Sequence, residues 1–378
     1  MLGVVWLASV VATDGFGFGA WPAHVDYVTG LPERTVPALR FVLDIATEPV
    51  NAALLLAGTV GGLAALVVGA YARERVPDLS VLAATLADYR DLVPWMLRLS
   101  AGLPTLGAGF AGYYFTPVVG IDEVSGTLTA LYPSLLEPLV ATPAIRLAFI
   151  AVGFTLLTGL VTRASAVLGL ALWLTVAPVE PALLLAAEYP FVYAGIVLVG
   201  GGRPSADEMF ARLAETPGTL YGRVDPLGEL PVRVRERAAP YAAFVPTLLR
   251  VGLGASFVFL GVTQKLLSPA RALLVVEKYG LSALLPIDPG LWVVGAGLTE
   301  AGVGLLLLTG LYTRGAAAVA FVVLTTTLFG LPDDPVLAHV SMFGLSSAVF
   351  TLGGGPYSLD RLLTAAGEAV GREATPSD

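Results

Sequence analysis

The chain has 378 residues, of which 56% are hydrophobic and only 13% are charged, and its mean hydropathy is +0.80. Soluble domains carry about 25% charged residues, so this composition argues against a soluble domain and predicts a polytopic α-helical membrane protein. A formal net charge of −8 excludes a basic face for binding nucleic acid. The chain has no cysteine, which excludes disulfides and cysteine-ligated iron–sulfur clusters within it, and no metal site is predicted.

Residues 1–23 are expected to be either a signal peptide or an N-terminal membrane helix that is retained. The run from Met1 to Ala12 is apolar, but it lacks the basic n-region and the A-x-A site of a cleaved leader. Residues 24–48 would then form an extracytoplasmic segment. Residues 49–71 are predicted to be a transmembrane helix.

Eight further apolar runs approach the ~20 residues that cross a bilayer, and each predicts a transmembrane helix. They lie at about 95–117, 144–162, 165–178, 182–200, 245–265, 290–312, 315–331 and 335–353. The linker 213–243 overlaps the stretch Arg203–Arg237, which holds six arginines and is also rich in proline, glycine and glutamate. The positive-inside rule therefore places this linker and the tail 367–378 in the cytoplasm.

The sequence repeats itself across this linker, in three blocks of the same order and nearly constant offset. The blocks are "MLRLSAGLPTLGAGF" (96–110) with "LLRVGLGASFVFLGV" (248–262), "LLTGLVTRASAV" (156–167) with "LLTGLYTRGAAA" (307–318), and "VGGGRPSADEM" (199–209) with "LGGGPYSLDRL" (352–362). Each copy holds four apolar runs, so both copies have the same orientation in the membrane. We predict an all-α membrane protein with two four-helix bundles, 90–212 and 244–366, in parallel tandem.

Three stretches of the second copy resemble the DoxX family of four-helix membrane proteins. They are "LLRVGLGASFVFLGVTQK", "TEAGVGLLLLTGLYTRGAAA" and "AHVSMFGLSSAVFTLGGGPYSLD". The resemblance covers residues 245–364, with 90–212 as a degenerate copy. It implies a multi-pass plasma-membrane protein of bacteria or archaea, linked in some relatives to thiosulfate:quinone oxidoreduction or to oxidative-stress complexes. Because the chain has no redox centre of its own, a membrane quinone or a partner subunit would have to carry electrons.

Glu300 is the only ionisable side chain between Gly290 and Thr313. It stands about ten residues into its predicted helix, hence ~15 Å deep and near the bilayer midplane. An ionisable residue at that depth is expected to be functional, although a neutral Glu300 that hydrogen-bonds neighbouring helices fits the same sequence. Lys265 and His339, on two other helices, are predicted to point at the same outer half of the bundle.

These three side chains are the candidates for catalysis. Glu300 and His339 would handle protons, and Lys265 would bind a semiquinone or an anionic substrate. In the alternative interpretation, Lys265 snorkels to lipid headgroups and His339 bonds a helix carbonyl at the interface. The first copy lacks this set. Its residues at the three positions are Tyr113, Phe149 and Ala186.

The remaining candidates bind substrate or hold the fold together. Gln264 and Thr299 adjoin Lys265 and Glu300 in the sequence, and with Arg250 they are predicted to bind substrate. Two arginines near the inner ends of the first helices, Arg98 and Arg250, are expected to anchor at lipid phosphates. In the alternative interpretation, Asp207 and Asp360 bond these arginines and close each bundle. Ser358 is predicted to cap a helix whose first turn holds Asp360.

Three functions are compatible with these features. The first is a membrane oxidoreductase subunit in which a quinone enters from the bilayer at the second bundle. The second is a scaffold that recruits a soluble partner enzyme to the linker and the tail. The third is a carrier for protons or small anions, against which the parallel bundles without broken helices argue.

Overall fold

The protein is described by a computed structural model that covers residues 31–131, 138–224, 228, 230–331 and 336–365. This part of the chain is almost entirely helical, apart from one short antiparallel hairpin, and the predicted all-α polytopic membrane fold is confirmed. The predictions for 1–23 and 367–378 lie outside the described residues.

Three helices precede the first copy: α1 (Leu31–Thr47), α2 (Pro49–Arg75) and α3 (Pro77–Asp88). The next elements are α4 (Val93–Ala111), β1 (Tyr113–Tyr114), β2 (Thr116–Gly120), α5 (Ile121–Leu131), α6 (Pro138–Thr158), α7 (Thr162–Val176) and α8 (Tyr189–Val199). The region around the linker contains α9 (Ala206–Glu215), α10 (Leu220–Val224) and α11 (Leu230–Ala238). The rest comprises α12 (Val245–Leu260), α13 (Pro269–Lys278), α14 (Leu281–Leu284), α15 (Pro289–Thr309), α16 (Thr313–Gly330), α17 (Val336–Leu352) and a helix that begins at 359.

In the described part of the chain, five helices are long and apolar enough to cross a membrane. They are Pro49–Ala72, Ala141–Thr158, Leu230–Leu266, Pro289–Thr309 and Thr313–Gly330. Three shorter apolar helices accompany them: Thr162–Val176, Tyr189–Val199 and His339–Leu352. The predicted runs therefore correspond to helices, but several of these helices are shorter than the runs.

Two of the predicted boundaries need correction. The run 95–117 ends as a helix at Ala111, because Gly112 adopts a φ of +85° and the chain then turns into the β1–β2 hairpin. A left-handed residue is a common stop for an α-helix, and glycine adopts it without strain. The run 182–200 opens with a 3₁₀ turn, Pro181–Ala186, and its α-helix starts only at Tyr189.

Residues 31–47 form a helix, where the sequence suggested only an extracytoplasmic segment. This helix, α1, packs against α15 and against the end of α12. Its Ala38 is buried, and a Cβ added at Gly290 of α15 would collide with its Ile45. The segment therefore forms part of the membrane protein's packed body, next to α15.

The halves 90–212 and 244–366 share one hydrophobic core. Helix α4 packs on α6 within its own half and extensively on α17 of the other half, while α12 packs on α15 and also on α8. Buried side chains from both halves, such as Leu97, Phe149, Leu249 and Leu345, belong to one continuous cluster. The sequence predicts two four-helix bundles without indicating how they pack, and in the structure they meet at an interface formed by α4, α8, α12 and α17.

Candidate functional site

A turn of π-helix, Gly261–Leu266, extends α12 and carries Lys265. Such turns are rare, shift the side chains that follow them, and frequently occur at functional sites. Glycines bring this turn close to α15: a Cβ added at Gly261 would lie 2.8 Å from the Gly297 carbonyl oxygen and 2.9 Å from Glu300 Cβ. The near contact of the two backbones places Lys265 opposite Glu300.

Lys265 and Glu300 form an ion pair, with Lys265 Nζ donating to Glu300 Oε2 at 2.8 Å. The lysine side chain is 23% exposed and the glutamate side chain 13% exposed. Pairing compensates each charge for the loss of water, which neither could tolerate alone at this depth. The structure brings these two residues together as predicted, and Lys265 bonds Glu300 rather than snorkelling to lipid headgroups.

Two further helices border this pair. Helix α13 packs on the π-helical turn and on α15, and α1 contacts both as well. Ala272, Leu273 and Val276 of α13 form a buried cluster with Val293 of α15, against which Phe41 of α1 packs. Four elements therefore position the ion pair: the π-helical turn, α15, α13 and α1. Sequence reasoning missed α1, and only the apolar residues within "VPALRFVLDI" could have indicated it.

His339 lies in the first turn of α17, which packs chiefly against α4 and α16 rather than against α15. Its predicted place beside the ion pair therefore stays a prediction. Gln264 is partly buried in the π-helical turn. Thr299 is exposed and donates its hydroxyl to Gly295 O at 2.8 Å. Successive helix residues are about 100° apart, so Thr299 points away from the side to which Glu300 points, and its predicted binding role finds no support.

Arg250 is buried inside the protein, with 2% of its surface exposed. Its guanidinium donates to the carbonyl oxygens of Gly354 (3.0 Å), Leu307 (2.8 Å), Leu308 and Tyr357. The expected anchoring at lipid phosphates is therefore wrong, because backbone carbonyls satisfy the cation away from the bilayer. These bonds also leave the guanidinium engaged, so its predicted part in substrate binding finds no support and its role is structural.

Arg98 is buried to the same degree, and its Nη2 donates to Pro204 O at 2.7 Å. The prediction that it anchors at lipid phosphates is wrong for the same reason. Each arginine also has an aspartate close enough for an electrostatic interaction, Asp207 for Arg98 and Asp360 for Arg250. Through these hydrogen bonds to backbone carbonyls, each buried arginine connects its own helix to the ends of neighbouring segments.

Asp207 and Asp360 close their halves by capping helices. Asp207 accepts hydrogen bonds from the backbone N–H groups of Val161 (2.6 Å) and Thr162 (2.9 Å) at the start of α7. In the second half, Asp360 accepts hydrogen bonds from the corresponding backbone N–H groups at the start of α16, those of Tyr312 and Thr313, both at 2.9 Å. These groups have no partner within their helices, and the carboxylates also complement the helix dipoles.

The predicted cap at Ser358 is confirmed, and Ser205 caps the equivalent helix of the first half. Arg361 N–H donates to Ser358 Oγ at 3.3 Å, and Glu208 N–H donates to Ser205 Oγ at 3.2 Å. Each serine begins the helix that carries the capping aspartate of its half. The carboxyl ends of the two halves are therefore hydrogen-bonded to the N-terminal ends of α7 and α16.

The first half has an aromatic cluster where the second half has the ion pair. Phe149 is fully buried, and its ring lies 4.9 Å from Tyr114 and 4.7 Å from Phe115, measured between centroids. Tyr113 belongs to β1, outside any helix. The first half therefore fills this position by packing and carries no charge there.

No three histidine, cysteine, aspartate or glutamate side chains cluster as metal ligands within the described ranges. Residues 245–333 match the family model described as DoxX, which confirms the predicted resemblance over this segment. The match contains the π-helical turn, Lys265 and Glu300, and it ends before His339. No curated protein and no solved structure matches the chain. The chain is thus an integral membrane protein with a segment of DoxX type.

Proposed function

We propose that this protein is a membrane subunit of a quinone-linked oxidoreductase, of the thiosulfate:quinone type or related to oxidative stress, in the plasma membrane. The quinone head group binds beside the Lys265–Glu300 ion pair. The observation that carries this proposal is the pair itself: two opposite charges 2.8 Å apart, partly exposed at membrane depth, inside the segment of DoxX type.

The chemistry of the pair suits a quinone. A quinone takes up two electrons and two protons to become a quinol, so its site needs a proton donor and a stabiliser of negative charge at an oxygen. Glu300 can hold and release a proton, and Lys265 can donate a hydrogen bond to a carbonyl oxygen. Electrons would come from a partner protein, since this chain contains no cysteine for a cluster.

We also infer that the two halves are copies of one ancestral unit. In the first half, Arg163 Nε donates to Val197 O at 3.0 Å, and in the second half Arg314 Nε donates to Phe350 O at 3.1 Å. The paired arginines and the paired capping aspartates support the same inference. Parallel copies share one orientation, so the arginine-rich linker and the carboxyl end are assigned to the cytoplasm.

The proposal is tested by purifying the protein in mild detergent and identifying bound small molecules by mass spectrometry. Glu300→Gln and Lys265→Met each remove one member of the pair. Thr299→Val is the matched control, because it changes a neighbouring residue that faces away from the pair. We expect a quinone in the wild type and in the control, and a loss of at least tenfold in both pair variants.

A titration with a soluble short-chain quinone checks the same site if the native quinone is lost during purification. Quinone retention in all four proteins would contradict the placement of the site. No retention and no binding by the wild type would contradict the oxidoreductase proposal itself. Thermal unfolding of each variant distinguishes a lost ligand from a lost fold.

A scaffold for a soluble enzyme is the second candidate function, and the exposed apolar residues of α9 and α10 favour it. Met209 is 67% exposed, Leu220 80% and Val224 77%, and Arg212 and Arg223 lie among them. An amphipathic surface of this kind suits either a partner protein or the membrane interface. Loss of a co-purifying enzyme in Leu220→Ser, with quinone retained, would support the scaffold role.

A further inference from the structure

Glu188 is a carboxyl buried at the interface between the two halves. It immediately precedes α8 and is 2% exposed. Its Oε1 accepts a hydrogen bond from Ser341 Oγ of α17 at 2.6 Å, and Ser100 Oγ of α4 donates to Ser341 O at 2.7 Å. The carboxyl therefore lies where helices from both halves meet.

The second oxygen of this carboxyl has a different environment. Glu188 Oε2 is buried and has no hydrogen-bond partner among the described residues, and none of the ion pairs found in that part of the chain includes Glu188. An ionised carboxylate without a cation or sufficient donors is strongly disfavoured in a protein interior. The carboxyl must therefore be balanced by something that binds to Oε2.

Ser256 of α12 lies near this carboxyl, and its hydroxyl donates to Gly252 O at 3.1 Å. Glu188 Oε2 receives no hydrogen bond from the described residues, so Ser341 is the donor that the structure gives to this carboxyl. A buried carboxylate with so few donors is disfavoured, whereas a protonated carboxylic acid needs no counter-charge.

No charged side chain in the described part of the chain is seen paired with Glu188. Tyr189, the next residue, interacts with Glu188 and also with Tyr193 and Tyr113, and these hydroxyls carry no charge when protonated. On α4 and α12, Arg98 and Arg250 donate to backbone carbonyls at the inner ends.

Two further ionisable groups lie on the helices packed against Glu188. Lys265 of α12 is paired with Glu300. His339 stands two residues before Ser341 on α17, which is about 200° around the helix from Ser341. A hard metal cation would need about six oxygen ligands, and Oε2 has no assembled set of them.

We propose that Glu188 is a proton-binding site inside the membrane. It is a neutral carboxylic acid that carries its proton on Oε2 and whose Oε1 accepts a hydrogen bond from Ser341. The equilibrium is the release of one proton from the acid to leave the carboxylate, without any redox partner. This site is independent of the proposed quinone site and stands whether or not a quinone binds.

Infrared spectroscopy of the protein in lipid nanodiscs tests the proposal at neutral pH, where surface carboxyls are ionised. The wild type is expected to show the C=O band of a protonated carboxyl, shifted in D₂O. This band should be absent from Glu188→Gln, which keeps an acceptor for Ser341. It should persist in Glu300→Gln, the control that removes the other intramembrane carboxyl.

Ser341→Ala provides a second measurement that does not depend on the folding of Glu188→Gln. Removing the donor to Oε1 should keep the band and move it to higher frequency. The proposal is overturned if the band is absent from the wild type, if it survives in Glu188→Gln, or if Ser341→Ala leaves its frequency unchanged. Loss of the band on adding Na⁺ at constant ionic strength would show a cation site instead.

Discussion

The two halves of the molecule share their polar framework and differ in the chemistry at its centre. In both halves a buried arginine, Arg98 or Arg250, donates to backbone carbonyls. In both, an aspartate caps the third of the four main helices. In the sequence alignment of the two halves, however, Phe149 occupies the position that corresponds to Glu300.

This difference separates polar groups that bind the backbone from a charged pair that does not. Hydrocarbon offers no hydrogen bonds, so helix ends that lie away from water must be satisfied by the protein itself, and both halves keep the residues that do so. The Lys265–Glu300 ion pair satisfies no backbone group. It occurs in the second half, while aromatic rings fill the same space in the first.

The largest effect is expected from placing the carboxylate of the second half into the first, by Phe149→Glu. The new group would lie between Tyr114 and Phe115, without a lysine to pair with. Loss of the buried ring alone costs about 3–5 kcal/mol, and the buried charge adds to that. SDS-induced unfolding should show that the variant is unfolded or close to it.

Phe149→Leu is the control for this substitution, because it reduces volume without adding charge and should cost less than the ~3–5 kcal/mol of truncating the whole ring to alanine. If Phe149→Glu were as stable as Phe149→Leu, the first half would tolerate a midplane carboxylate. The proposed difference, in which the first half is filled by apolar packing at this position and the second half carries a site for chemistry, would then be wrong.

The next largest effect is expected from Arg250→Met, compared with Arg98→Met. Arg250 donates to four carbonyl oxygens, whereas Arg98 Nε and Nη1 have no partner among the described residues. Leaving one buried acceptor without its donor costs about 1–3 kcal/mol. We expect a loss of about that size in unfolding free energy for Arg98→Met, which removes the donor to Pro204 O, and a larger loss for Arg250→Met, which removes the donors to four carbonyl oxygens.

Arg250→Lys sharpens this comparison, since a lysine keeps the charge but has only three donors on one atom. It should recover only part of the stability that Arg250→Met loses. A full recovery would mean that a positive charge at this position is enough to stabilise the second half. The several N–H donors of the guanidinium would then be dispensable.

Features encoded locally could be predicted from the sequence. Apolar runs gave the helices because burial in lipid depends on composition over ~20 residues. The serine caps followed from residue type and spacing. The Lys265–Glu300 contact followed from the direction in which helix side chains lean, combined with the low number of charges in the second copy.

Features that depend on packing between distant segments could not be predicted in the same way. The burial of Arg250 requires carbonyls that lie more than fifty residues away in the sequence. The π-helical turn depends on where α15 crosses α12, and no local sequence pattern predicts the position of that crossing. The interface between the halves places Glu188 beside Ser341, and neither residue alone indicates the other.

The smallest of these effects, and the most specific, is expected from Gly261→Ala. A Cβ at this position would lie 2.8 Å from Gly297 O and 2.9 Å from Ala301 N, both backbone atoms that cannot move aside cheaply. Overpacking of this kind costs about 1–3 kcal/mol. The added carbon would also push the π-helical turn away from α15 and so lengthen the Lys265–Glu300 contact.

Gly302→Ala is the matched control, because a Cβ there meets nothing within 4 Å. It should leave the fold unchanged or stabilise it by about 0.5–1 kcal/mol, since alanine favours a helix interior. We expect Gly261→Ala to lose bound quinone at least tenfold and Gly302→Ala to keep it. Equal retention by both would show that close contact between α12 and α15 serves packing alone, as its counterpart does in the first half.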